Sequence, residues 1–352
     1  MIKPDMLKYG DTVAIVSLSS GMLGEEFCSH TMEIGVKRLK EFGLEPVFMP
    51  NALKGIDYLN KHPEKRAEDL KKAFLDSSIK GVICAIGGDD TYRLLPYFMD
   101  DSEFIEVVQR SPKLFTGFSD TAINHFMFWR IGMQTFYGPA FICDLGEVAN
   151  EMLPYTKSVF QGYFEDYTTW KIRPSDVWYE ERTDFSKKAI GTERISHKEA
   201  HGYELLQGCD IFEGELLGGC LESIYDMLTA TRYADEREIC ERYNLFPSQE
   251  EWQGKIMFLE TSEEKPTPNL VRKILMTIEK TGAFDVINGI LVGKPQDEKY
   301  YEEYKIIYLE MFGKRSIPIL YNVNFGHATP RAALPYGARA RVNAKTQVIE
   351  FI

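Results

Sequence analysis

Short apolar runs alternate with amphipathic stretches through the first half of the chain. Thr12-Val13-Ala14-Ile15-Val16-Ser17-Leu18 closes on Ser19-Ser20-Gly21, which predicts a strand running into a turn. Helical spacing follows over Thr31 to Phe42, with Met32, Ile34, Val36 and Leu39 apolar, until Gly43 stops it and Glu45 to Met49 resumes as strand. Pro63 to Leu75 reads as a charged amphipathic helix, and Ile79 to Ile86 and Leu114 to Phe118 as two further buried strands. Continuous apolar strands separated by helices predict a parallel sheet covered on both faces.

Between about Asp166 and Gln207 the pattern dissolves into a stretch with Trp170, Trp178, Tyr179 and the charge run Glu180-Glu181-Arg182. Regular signals return at Glu213-Gly214-Glu215-Leu216-Leu217-Gly218-Gly219 and continue through strands at Lys255–Leu259 and Ile287–Gly293, a helix from Asn269 to Thr281 and a closing hairpin around Asn343-Ala344-Lys345. The expected layout is an α/β chain with a Rossmann-like parallel sheet over 1–165, a connector or flap over 166–207, and a smaller mixed α/β domain built around a sheet or barrel over 208–352.

Composition narrows the function classes. The 352 residues carry 41 Lys+Arg against 53 Asp+Glu, a formal charge of −12, which argues against a nucleic-acid groove built on clustered cations. No run approaches the ~18–20 apolar residues of a membrane span, and the first residues lack the apolar core of a signal peptide. The six cysteines are scattered without a C-x-x-C pair, so neither a zinc ribbon nor a disulfide framework is indicated. The expectation is a soluble cytoplasmic protein without metal or cofactor, binding neither nucleic acid nor membrane.

In parallel sheets the chemistry sits beyond the carboxyl ends of the strands. After Ile86 comes Gly87-Gly88-Asp89-Asp90-Thr91, where a glycine pair can turn its N–H groups toward an anion, or where an aspartate simply caps a helix. After Phe118 comes Ser119-Asp120, with helical spacing at once. That serine fits a nucleophile elbow without the second glycine of G-x-S-x-G, or a helix N-cap. No G-x-G-x-x-G follows a strand, which counts against a dinucleotide oxidoreductase, and position 119 lacks the cysteine an amidotransferase would use.

A serine nucleophile needs a base and an orienting acid. Among the six histidines, His125 reads as packed, His30 and His62 as surface residues, and His197 and His201 as surface-loop residues. His327, after the strand-like Ile317–Tyr321 and within Asn324-Phe325-Gly326-His327-Ala328-Thr329-Pro330-Arg331, is the best base candidate. Glu260 directly follows the strand Lys255–Leu259, where it either caps a turn or orients the histidine. A serine, an acid and a histidine each beyond a buried strand fit a triad recognised by role.

Gly-Asp-Thr-Val-Ala-Ile-Val-Ser at 10–17, Ile-Gly-Gly-Asp-Asp-Thr-Tyr-Arg at 86–93, Gly-Phe-Ser-Asp-Thr at 117–121, Gly-Glu-Leu-Leu-Gly-Gly-Cys-Leu at 214–221, Phe-Leu-Glu-Thr-Ser-Glu-Glu at 258–264 and Gly-His-Ala-Thr-Pro-Arg at 326–331 together resemble the LD-carboxypeptidases of serine peptidase family S66. The Gly-Gly-Asp-Asp segment and the long middle region look closest to the microcin C self-immunity branch. The resemblance implies two domains with the site between them and a Ser119–His327–Glu260 triad. It also implies a homodimer without metal, and a small peptide or peptidyl-nucleotide-like substrate cut near a carboxylate or acidic group. Backbone N–H groups of Gly88, Asp89 and Asp120 are the expected oxyanion donors. Arg331, Trp178 and Cys220 are candidate substrate contacts, Cys220 standing where many members carry asparagine. A catalytically inactive binding relative of the same fold is the alternative.

Overall fold

A computed structural model describes all of residues 1–352, which divide into two compact units. The first comprises Met1–Asp166 with Arg182–Arg194, and the second Tyr167–Glu181 with Ile195–Ile352.

The first unit is built on β1 (Thr12–Val16), β2 (Glu45–Phe48), β3 (Ile79–Cys84), β4 (Leu114–Gly117) and β5 (Thr135–Tyr137). All pair in parallel in the order β2-β1-β3-β4-β5. Strands β4 and β5 are buried along their whole length, as sheets flanked by helices require. Helices Ser29–Glu41, Pro63–Leu75, Ser102–Arg110 and Ala122–Ile131 supply the crossovers. Because β2 lies on one side of β1 and β3 on the other, the strand order reverses between β1 and β3. In open parallel sheets, ligands bind beyond the carboxyl ends of the strands at such a reversal.

The second unit holds β6 (Lys171–Ile172), β7 (Val177–Tyr179), β8 (Ser196–Lys198), β9 (Glu204–Gln207), β10 (Ile211–Cys220), β11 (Ile256–Glu260), β12 (Gly289–Gly293), β13 (Ile319–Val323), β14 (Leu334–Tyr336), β15 (Arg339–Asn343) and β16 (Val348–Phe351). Eight of them form one curled mixed sheet in the order β6-β16-β15-β10-β11-β12-β13-β9. Its centre, β10 to β13, is parallel, and antiparallel strands close both sides. β14 lies against β10, where Tyr336 Oη donates to the Gly218 carbonyl (3.2 Å).

The stretch 166–207, expected as a connector, is ordered. It supplies β6 to β9 and is shared between the units. Its short strands carry no apolar alternation because β6 and β9 join sheet edges and β7 pairs with β8 in a two-stranded ribbon. The expected hairpin is β15 against β16, with Asn343 facing Val348.

Candidate active site

In the first unit the loops after β1, β3 and β4 converge beside the point of strand reversal. Ser20 N–H donates to the Gly87 carbonyl (3.1 Å), joining the first two. Ser119 follows an extended Phe118 and adopts φ +67° before the helix Ala122–Ile131 begins. An L-residue in that region costs about 1–2 kcal/mol, so the surroundings must enforce it. One restraint is the Ser119 N–H, which donates to Tyr137 Oη on β5 (3.1 Å). Gly87 makes the approach possible: a β-carbon there would stand 2.7 Å from Ser119 Cβ and 2.8 Å from Oγ. The sharp turn lifts a half-buried hydroxyl beyond the sheet, the geometry of a nucleophile elbow.

Beneath Ser119 lies a network of charged and polar groups. Asp120 Oδ2 accepts from Ser19 Oγ (2.7 Å) and from the Thr91 N–H (2.9 Å). Burial pushes the Asp120 carboxyl up to about 6 despite both bonds, and Asp90 and Asp89 add to the rise. Arg66, fully buried, donates to both oxygens of Asp90 (2.5 and 3.0 Å) and to the Leu18 and Ser19 carbonyls. The loop Gly87–Thr91 is thereby pinned to β1. One expectation changes here. The Asp89 N–H already donates to Ser19 Oγ (2.9 Å), which removes it from the candidate oxyanion donors and leaves Gly88 and Asp120.

In the second unit Glu260 ends β11 and His327 sits on the loop after β13. Both are buried, and His327 Nδ1 is 2.8 Å from Glu260 Oε2 and 3.1 Å from Oε1. The His327 backbone N–H donates to the same Oε2 (3.1 Å). Nδ1 is therefore the protonated, donating nitrogen. Gly326, at φ +85°, lets the loop run this close, since a β-carbon there would stand 2.5 Å from Glu260 Oε2. Arg331 holds the other side, its Nε donating to the Gly326 carbonyl (2.7 Å) and its Nη2 to the His327 carbonyl (2.9 Å). Buried and committed to these carbonyls, it braces the histidine loop and does not present the open cation expected for a substrate acid.

Sequence reading missed Glu263 and Glu222. Glu263 Oε2 is 3.0 Å from His327 Nε2, so the imidazole is held between two carboxylates. Burial alone would lower the His327 pKa. The Glu260 charge and the bonds to Glu260 and Glu263 outweigh it and raise it to about 10. The same bond holds the Glu263 carboxyl down at about 2. Glu222 Oε1 accepts from Ser262 Oγ (2.6 Å) and N–H (3.1 Å), fixing the loop after β11, and burial raises its carboxyl. The cue for Glu263 was the polar run Thr261-Ser262-Glu263-Glu264 straight after a buried strand, whereas Glu222 reaches that loop from 40 positions away and had no such signal.

Cys220 ends β10 as the register partner of Glu260. Its Sγ and the ligating atoms of Glu260 and His327 lie within 4.8 Å of one another. Thiolate, imidazole and carboxylate donors together are those of a borderline cation such as zinc. Here His327 Nδ1 and Glu260 are bonded to each other and Nε2 to Glu263, while the Cys220 thiol, pushed up by burial, donates to Glu222 Oε2 (3.5 Å).

Trp178 is buried with its ring stacked on His197 at 4.2 Å, and Lys294 Nζ lies 5.2 Å from its centroid. It is part of the second unit's packing and not an open platform for substrate. His125 is packed, its Nδ1 2.7 Å from Thr135 Oγ1 and its Nε2 3.0 Å from the Gly117 carbonyl. His30, expected at the surface, is buried with Nε2 2.8 Å from the Phe185 carbonyl.

The first unit thus carries a strained serine at a strand-to-helix turn, and the second a buried carboxylate–imidazole pair at the carboxyl ends of parallel strands. Family models for the LD-carboxypeptidase N-terminal domain and C-terminal domain match residues 13–138 and 213–342. The chain belongs to the LD-carboxypeptidase family. It is 29% identical over 357 residues to the "Probable murein peptide carboxypeptidase" of Bacillus subtilis (strain 168), covering 99% of this chain and 94% of that protein. It is 22% identical over 350 residues to the microcin C7 self-immunity protein MccF of Escherichia coli, covering 96% and 92%. A crystal structure of an MccF-like protein from Streptococcus pneumoniae in complex with AMP superimposes with a TM-score of 0.94 at 52% identity, covering 97% of this chain and 99% of that one. These relatives make the chain a carboxypeptidase-like or MccF-like hydrolase. No helix is long and apolar enough to cross a membrane.

Proposed function

We propose that the protein hydrolyses an amide bond through a Ser119–His327–Glu260 triad and that its substrate is an aminoacyl or peptidyl group joined to a nucleotide-like portion. The observation that carries the catalytic reading is the left-handed backbone of Ser119, a strain that an ordinary N-cap serine does not need. Ser119 belongs to one unit and the His327–Glu260 pair to the other, so activity would depend on both.

In this mechanism His327 Nε2 takes the Ser119 proton as Oγ attacks the carbonyl carbon. Glu260, bonded to Nδ1, fixes the tautomer and stabilises the imidazolium. The N–H groups of Gly88 and Asp120 would receive the oxyanion, each worth about 3–4 kcal/mol in the transition state. His327 then returns the proton to the leaving nitrogen, and water, activated by the same imidazole, releases the acyl group from Ser119.

The nucleotide portion is favoured by the 52% identity to the MccF-like protein solved with AMP. The murein peptide carboxypeptidase relative supports a second reading, release of a terminal D-amino acid from an L,D-peptide. Purified protein assayed against an aminoacyl-sulfamoyl adenylate and an L,D-tetrapeptide separates them, with Ser119→Ala as control. Release of D-alanine alone would sink the nucleotide reading, and parent-rate turnover by Ser119→Ala would sink the triad. The homodimeric, cytoplasmic setting belongs to the same proposal, and light scattering on the purified chain tests its oligomeric part.

A further inference from the structure

His327 Nε2 is the nitrogen that the proposed mechanism needs empty, because Nδ1 is held by Glu260. Instead it faces Glu263 Oε2 at 3.0 Å. A neutral imidazole has one N–H and cannot donate to two carboxylates at once. Sandwiched between Glu260 and Glu263, His327 therefore rests as an imidazolium, which cannot accept the serine proton. The two carboxylates differ in mobility. Glu260 is buried at the end of β11, whereas the Glu263 side chain is 54% exposed on the following loop. Only Glu263 can swing away.

The other groups facing this corner do not replace it. Glu222 is tied to Ser262, the Cys220 thiol is held protonated, and Arg331 meets His327 only through the backbone carbonyl. Arg232 reaches Glu264 (3.9 Å) and Asp226 (3.3 Å) and acts on Glu263 only through its charge. Glu264 makes no contact with the imidazole and offers a control on the same loop.

We propose that Glu263 is a substrate-displaced clamp on His327, holding the imidazole in its charged, inactive form until a bound substrate turns the carboxylate out and the Nε2 proton leaves to solvent. The assignment rests on the triad reading above for its catalytic meaning, while the contact itself can be judged without turnover. Glu263 would thus set the pH at which the resting enzyme becomes competent.

Two measurements test it. First, the His327 imidazole is titrated by NMR in Ser119→Ala protein and in Ser119→Ala/Glu263→Gln protein, with Ser119→Ala/Glu264→Gln as control. The expected midpoint lies well above the ordinary histidine value near 6.5, falls by about one pH unit or more with Glu263→Gln, and stays in place with Glu264→Gln. A midpoint that Glu263→Gln leaves unmoved overturns the clamp, whatever becomes of the triad.

Second, pH profiles are recorded on an aminoacyl-sulfamoyl adenylate. In the parent the acid limb of kcat/KM, which reports free enzyme, should lie above that of kcat, which reports the complex. Glu263→Gln should close this gap and raise kcat/KM at pH 7 by about tenfold for every pH unit through which the acid limb moves down. Coincident limbs in the parent would overturn displacement by substrate. Parent-rate turnover by Ser119→Ala would instead condemn the triad reading and leave the NMR result to judge the contact.

Discussion

Gly326 and Glu260 touch: the hydrogen atom that glycine carries in place of a side chain faces the carboxylate that orients His327, and a β-carbon there would stand 2.5 Å from Oε2. The backbone at 326, at φ +85°, is also one that L side chains rarely adopt. Gly326→Ala should therefore displace the carboxylate from His327, lower stability by more than about 1 kcal/mol and greatly reduce kcat. Glu260→Gln keeps the volume and removes the charge. It should lower the unfolding midpoint, because the buried imidazolium loses the charge of one of its two carboxylate partners, and cut kcat by about 10⁴-fold, the scale found when the orienting acid of a triad is neutralised. Urea unfolding and steady-state kinetics on both variants check this. Full activity in either one would mean that Glu260 does not orient a catalytic base.

The strain at Ser119 has its own signature. At an ordinary helical or extended position, glycine is less stable than alanine by about 0.5–1 kcal/mol because it loses more freedom on folding. At φ +67° alanine bears the left-handed penalty of about 1–2 kcal/mol and glycine does not. Ser119→Gly should thus match or exceed Ser119→Ala in stability, with both inactive. Thermal unfolding of the pair decides it, and a clear advantage for alanine would show that the backbone there is not strained.

How much of this was legible in the sequence differs residue by residue. The turn at Ser119 could be read because Leu114–Phe118 is a short, largely apolar run of strand length, and helical spacing resumes immediately after it. Glu260 stood out for the same reason, a charge placed directly at the end of a buried run. What lay hidden depends on where side chains point. Glu263 follows Glu260 by three positions, and nothing in that spacing says that its carboxylate folds back onto a histidine far away in the chain. Arg331 neighbours His327 in sequence, yet its guanidinium braces backbone carbonyls. His30, flanked by Ser29 and Thr31, looks solvated until the segment carrying Phe185 covers it. The connector was opaque because short strands joined to sheet edges need no apolar periodicity of their own.

Asp120 makes stability depend on pH in a direction opposite to most carboxylates. Its folded pKa is raised to about 6, so ionising it disfavours the fold. Stability from this group falls as pH climbs from the unfolded value near 3.9 through about 6, and is flat above. Both bonds to Asp120 land on Oδ2, an oxygen that asparagine retains. Asp120→Asn should therefore stabilise the protein at pH 7–8, by at most about 3 kcal/mol, and the gain should vanish below about pH 4. Denaturant unfolding at both ends of this range measures it. A variant that is less stable at neutral pH would show that the charge of Asp120 contributes more through Ser19 and Thr91 than burial takes away.

Arg331 separates a brace from a substrate contact. As a brace its guanidinium holds the Gly326 and His327 carbonyls together, two acceptors that a single lysine ammonium reaches poorly. Arg331→Lys keeps the charge and loses the fork, so the imidazole should be held loosely. The expected result is a kcat lowered by about 10–100-fold with KM within about threefold of the parent, because positioning is felt in the transition state more than in binding. If Arg331 held an acidic group of the substrate, the retained lysine charge would preserve much of kcat and the loss would fall on KM. Steady-state kinetics over a range of substrate concentrations tell the two apart, and a KM effect alone would return Arg331 to the substrate site.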